Sequence, residues 1–113
     1  MGLPITITPI AGSVTVAVGS TVLGTSTHTL ELREAGHAPV VYVPREDVDM
    51  SRLVRTDHTT RCPWKGQAHY YSIKGKVGML ANAVWTYEDP VPEVAPIAGH
   101  LAFYADRVTI TRD

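Results

Sequence analysis

The feature that most constrains the fold of this 113-residue chain is a two-residue alternation of apolar and hydroxyl-bearing side chains, and no helical apolar period persists to compete with it. Ile5-Thr6-Ile7-Thr8 and Ser13-Val14-Thr15-Val16-Ala17-Val18 alternate in this way, and Gly12 and Gly19-Ser20 punctuate them as turns. His28 to Arg33 alternates before an Ala35-Gly36-His37 turn, and Val40 to Val43 is a more fully apolar strand bracketed by Pro39 and Pro44. Strand character returns at Gln67 to Ile73, Ala83 to Tyr87, His100 to Tyr104 and Arg107 to Thr111. Side chains one residue apart on a strand face opposite ways, so these segments predict antiparallel strands with one wet face.

Two stretches depart from the pattern. Pro44-Arg45-Glu46-Asp47-Val48 puts Pro at a first helical position with acids in the first turn, and Asp49 to Val54 adds a second turn, giving one or two short helical turns. Glu88 to Pro96 is a proline-rich connection, too short for an interdomain linker. The expectation is one domain over residues 1–113, mainly β, with two packed antiparallel sheets or a small open barrel.

Composition excludes several classes. Hydrophobic residues make up 44% and charged residues 19%, an ordinary globular balance that rules out disorder. Ten basic residues against eleven acidic ones give a net charge of -1 without a basic face, so no nucleic-acid partner is expected. No apolar run approaches the ~20 residues of a membrane span, the N-terminal stretch lacks signal-peptide features, and one Cys cannot form an intrachain disulfide. A cytoplasmic location away from membranes is the expectation.

Chemistry concentrates in Thr59-Thr60-Arg61-Cys62-Pro63-Trp64-Lys65-Gly66-Gln67-Ala68-His69-Tyr70-Tyr71-Ser72-Ile73. Pro63 and Gly66 read as a tight turn entering a strand, which holds Cys62 and Lys65 at the strand's entrance. Alternation then separates Ala68, Tyr70 and Ser72 from Gln67, His69, Tyr71 and Ile73, and His69 and Tyr71 are expected to share the concave surface while Tyr70 packs elsewhere. Arg61 and Lys65 near Cys62 are what a reactive thiol needs, with His69 or His58 as base, against the alternative of a buried Cys acting as a small hydrophobe. The five His residues and the Cys show no CxxC or HExxH spacing, so no metal is expected. Asp47-Val48-Asp49 with Glu46 suggests a carboxylate pair for Mg²⁺, but a capped helical turn explains it as well. Trp85 and Tyr87 share a strand face and read as core.

Taken together, Tyr42-x-Pro44-x-x-Asp47-Val48, Thr60-x-Cys62-Pro63-x-Lys65-Gly66-x-Ala68-x-Tyr70, Ala83-Val84-Trp85-x-Tyr87-x-x-Pro90 and Ile97-x-Gly99-x-x-Ala102-Phe103-Tyr104-x-Asp106-Arg107-Val108 resemble the DUF427 family over roughly residues 13 to 110. The resemblance implies a Mss4-like, or β-tent, fold with sheets leaning over a groove. A nucleotidyltransferase-like label attaches to the family, but the Gly-Ser turn and strand-borne acidic pair of such enzymes have no counterpart in place here. Several Mss4-like relatives bind zinc through paired CxxC knuckles, which this chain lacks. The family pattern retains Glu46, Asp47, Cys62, Lys65, His69, Tyr71, Asp106 and Arg107, of which Asp106-Arg107 also reads as a plain hairpin turn.

The leading expectation is a groove that binds a small, anionic molecule. Lys65 and Arg45 would attract it, Tyr42, Trp64 and Tyr71 would wall it, His69 and Glu46 would exchange protons, and Cys62 would sit at the rim or act as nucleophile. The residues name no cofactor and leave open whether the protein is an enzyme. The alternatives are a non-catalytic interaction module or homodimer that uses the N-terminal strand and proline-rich segment, and a thiol enzyme or redox sensor using Cys62.

Overall fold

A computed structural model describes residues 4–76 and 78–113. Its strands are β1 (Ile5–Pro9), β2 (Val14–Val18), β3 (Thr21–Ser26), β4 (Leu30–Glu34), β5 (Val40–Tyr42), β6 (Leu53–Cys62), β7 (Gly66–Gly75), β8 (Gly78–Thr86), β9 (Leu101–Phe103) and β10 (Thr109–Arg112). They form three antiparallel sheets, ordered β1-β4-β5, β10-β2-β3 and β6-β7-β8-β9, and none of them closes into a barrel. Short 3-10 turns at Arg45–Asp47, Met50–Arg52 and Pro92–Ile97 are the helical elements among the described residues. None is long and apolar enough to cross a membrane.

The four-stranded sheet feeds two cores because its residues alternate. Tyr71, Ile73, Val84, Leu101 and Phe103 pack with Val16 and Leu23 of the β10-β2-β3 sheet. Ala68, Tyr70 and Ala102 pack instead with Leu32 and Tyr42 of the β1-β4-β5 sheet, together with Tyr87, Val94 and Ile97. Each large apolar side chain withdrawn from water in this way contributes roughly 1.5–3 kcal/mol. Between Tyr42 and Val43 the chain passes from one core to the other, and Val43 exchanges backbone hydrogen bonds with Leu101 at 2.8 Å in both directions.

The mainly β, antiparallel expectation holds, and the strands are distributed over three sheets. Two strands lie outside the segments read from the sequence. β3 is interrupted by Gly24, where a side chain would collide with the Asp47 carbonyl oxygen, so the residue that breaks the pattern is also the one that lets the Arg45–Asp47 turn dock. β6 is an edge strand whose residues from Asp57 to Arg61 are exposed, so burial imposes no apolar alternation on it. The second helical turn ends at Leu53, where β6 starts, and part of the proline-rich connection winds into the 3-10 turn at Pro92–Ile97.

Candidate functional site

A cleft of about 470 Å³ opens between the β1-β4-β5 sheet and the second face of the four-stranded sheet. Six of the chain's eight aromatic residues line it: Tyr42, Trp64, Tyr70, Trp85, Tyr87 and Tyr104. Strand register puts them there. Tyr70 on β7 is directly opposite Trp85 on β8, and Tyr42 on β5 is opposite Leu30 on β4. Trp85 and Tyr104 stack at 4.7 Å between centroids, tilted by 50°. Trp64 and Tyr104 are 43% and 41% exposed, so apolar ring surface remains open to solvent at the cleft.

The polar end of the cleft is built by the β6-β7 hairpin. Its turn closes with a Lys65 N–H to Cys62 carbonyl hydrogen bond of 3.2 Å, and Cys62 pairs with Gly66. Gly66 has φ +119 and packs under Pro90, while the Lys65 carbonyl accepts a 2.9 Å hydrogen bond from the Val91 N–H. Clamped in this way, the turn directs the Lys65 ammonium to Glu34 Oε1 at 2.7 Å, with only 12% and 8% of the two side chains exposed. Cys62 Sγ accepts a longer, 3.8 Å contact from the same ammonium. Lys65 is thus neutralised within the site.

Two phenols complete the polar edge. Tyr42 Oη accepts a 3.3 Å hydrogen bond from Trp85 Nε1, which leaves its own proton free. Burial is the main reason its pKa is pushed up to about 12, so it stays a donor at neutral pH. Burial also raises Tyr87, which is 7% exposed and lines the cleft. The Tyr87 hydroxyl makes no side-chain hydrogen bond among the described residues, and it is not among the atoms sealed from solvent without a partner.

The sequence-derived site residues divide between the two faces of the four-stranded sheet. Tyr42, Cys62, Trp64 and Lys65 meet in the cleft. Arg45 and Tyr71 meet elsewhere: Arg45 Nη1 donates to Tyr71 Oη at 2.9 Å, and the Arg45 and Arg55 guanidiniums lie 5.7 Å and 5.9 Å from the Tyr71 ring centre. Arg55 forms a fork on Glu88 at 2.8 Å and 3.2 Å, and His69 Nε2 lies 3.8 Å from the same carboxylate. The Arg55 hydrogen bond is the main reason the Glu88 carboxyl is held below its ordinary range. Glu46 is exposed in the 3-10 turn beside Arg45 and does not line the aromatic cleft.

The alternation along β7 is as expected, but it is Tyr70, not His69 and Tyr71, that faces the cleft with Cys62 and Lys65. The physical reason is that the hairpin folds toward the Ala68 and Tyr70 face, which the β1-β4-β5 sheet covers. Asp47 and Asp49 serve local structure: Asp47 accepts from Ser26 Oγ, and Asp49 caps the next turn by accepting from the Ser51 N–H at 3.1 Å. The Tyr104-to-Arg107 turn is closed by a backbone hydrogen bond of 2.9 Å. Among the described residues no group of three His, Cys, Asp or Glu side chains is placed to hold a metal ion.

Glu34, Tyr70, Trp85, Tyr87 and Tyr104 were not among the sequence-derived site residues. Trp85 and Tyr87 sharing a strand face was the available signal, and a buried face and a cleft wall look alike in that pattern. Glu34 gave none, because its partner Lys65 is thirty-one positions away.

Compared with known families, residues 6–113 match the family described as Domain of unknown function (DUF427), almost the whole length of the chain. A comparison with curated proteins finds no match.

Proposed function

The chain belongs to the DUF427 family, whose description carries no activity, and from that premise we propose that the aromatic cleft binds a small planar heterocycle with hydrogen-bond acceptors along one edge. The single observation that supports this reading is the convergence of six aromatic side chains on a cleft whose polar end holds the Tyr42 and Tyr87 hydroxyls and the Lys65–Glu34 pair. Rings favour stacking of a flat ligand, and a few fixed polar groups orient it. Because Glu34 neutralises Lys65, the cleft selects by shape and hydrogen bonding rather than by negative charge. This reading replaces the anionic ligand expected from the sequence with a neutral one at this site.

Ligand-observed NMR with neutral heteroaromatic fragments, run beside aliphatic and anionic fragments of equal size, tests the reading. Ala38 is exposed on the cleft wall, so Ala38→Trp blocks the cleft without disturbing either core. Heteroaromatic fragments are expected to bind the wild type and not Ala38→Trp. Equal binding to both proteins refutes the proposal.

A second reading, association through a sheet edge, is favoured by the ten-residue edge strand β6, mostly exposed and unpaired on one side. Sedimentation across concentration tests it, because a concentration-independent monomer contradicts edge pairing.

A further inference from the structure

We propose that a second cleft, bordered by the other hydrophobic core, binds a small anionic amphiphile of the acyl carboxylate class. The cleft is about 520 Å³, within the range of small-molecule pockets, and lies where two tight hairpins approach each other. In the first, Val18 pairs with Thr21 across Gly19-Ser20; in the second, Gly75 pairs with Gly78. Lys76 Nζ reaches across to Ser20 Oγ at 3.4 Å and links them.

Its chemistry has two halves. Leu23 and Leu80 form an apolar floor continuous with the core, and Leu80 and Val18 are only partly buried there. Arg52, Lys74 and Lys76 stand around the floor, and no carboxylate lines the cleft among the described residues. Among the described residues the only carboxylate contact to these three cations is Asp49, 3.8 Å from Arg52 Nε with both groups about half exposed. Such a pair is weak and readily exchanged for another anion. An apolar floor surrounded by incompletely neutralised cations complements a molecule with a short hydrocarbon body and a carboxylate head. The balance of the two halves separates this ligand from inorganic phosphate, which has no apolar part, and from an alkylammonium, which the cations repel.

Amide-resolved NMR titration of the whole chain with hexanoate tests the inference, with inorganic phosphate and hexylammonium as comparators. Hexanoate is expected to shift the amides of Val18 to Thr21 and of Gly78 to Leu80 saturably. The affinity should fall about tenfold in Lys74→Gln/Lys76→Gln, as loss of charge-assisted hydrogen bonds requires, and stay unchanged in Ala38→Trp. Both lysines are exposed, so the double variant leaves the core intact. The inference is overturned if hexanoate does not saturate, if phosphate or hexylammonium binds as well, if the double variant binds normally, or if Ala38→Trp abolishes the effect.

Discussion

The Lys65 ammonium lies 2.7 Å from Glu34 Oε1 and joins the β6-β7 hairpin to the end of β4, with both side chains nearly buried. Breaking such a pair leaves a charge stranded in a dry place, whereas replacing both partners removes the problem. Lys65→Met and Glu34→Leu are each expected to cost about 3 kcal/mol in urea denaturation. The double variant should recover most of that loss. Additive losses would show that the two side chains act independently.

Gly66 is the hinge that makes this contact possible. Its φ of +119 is one that L side chains rarely adopt, and a Cβ there would sit 3.4 Å from Pro90 Cα. Gly66→Ala is expected to destabilise the protein by about 1–3 kcal/mol. Hydrogen exchange at the Val91 amide, which donates to the Lys65 carbonyl, should accelerate in parallel. Unchanged exchange would mean that the turn absorbs the methyl group without moving.

Glu31 links two sheets, accepting from Arg112 at 2.6 Å and from its neighbour Arg33 at 2.7 Å. Hydrogen bonds from Arg112, then from Arg33, hold its carboxyl below the ordinary 4.5. The unfolded chain therefore takes up the proton first as pH falls. The stabilisation is complete above about pH 4.5 and is lost as pH drops through the lowered folded-state value. Glu31→Gln is expected to lower stability at pH 7 and to flatten the stability–pH curve below pH 4.5. An acid limb as steep as wild type would assign that limb to other carboxylates.

Thr29 Oγ1 is a buried side-chain oxygen without a hydrogen-bond partner among the described residues, in a side chain that is fully buried. Thr29→Val keeps the shape and removes the unsatisfied hydroxyl. It is expected to raise stability by about 1 kcal/mol, read as a higher urea midpoint.

Much of the fold was legible because alternation and turn residues report local geometry directly, as Val14 to Val18 and the Pro63–Gly66 turn do. β6 was not legible: an exposed edge strand such as Asp57-His58-Thr59-Thr60-Arg61 has no buried face to impose a pattern. The site was half legible. Cys62, Trp64 and Lys65 are neighbours in the chain and remain neighbours in the cleft. Which face of β7 they join depends on where the β1-β4-β5 sheet lands, and that is fixed by Leu32, Tyr42 and Glu34, distant in sequence. Local sequence therefore groups Tyr71 with Lys65, although it sits between Arg45 and Arg55 on the opposite face.

The most direct measurement for the aromatic cleft is calorimetric titration of the tightest neutral heteroaromatic fragment into wild type and Tyr87→Phe. The substitution removes only a hydroxyl without a side-chain partner among the described residues, so folding stability should be unchanged. Affinity should fall about tenfold through loss of one ligand hydrogen bond. Equal affinity in the two proteins, or no saturable heat with the wild type, would contradict the cleft as the binding site.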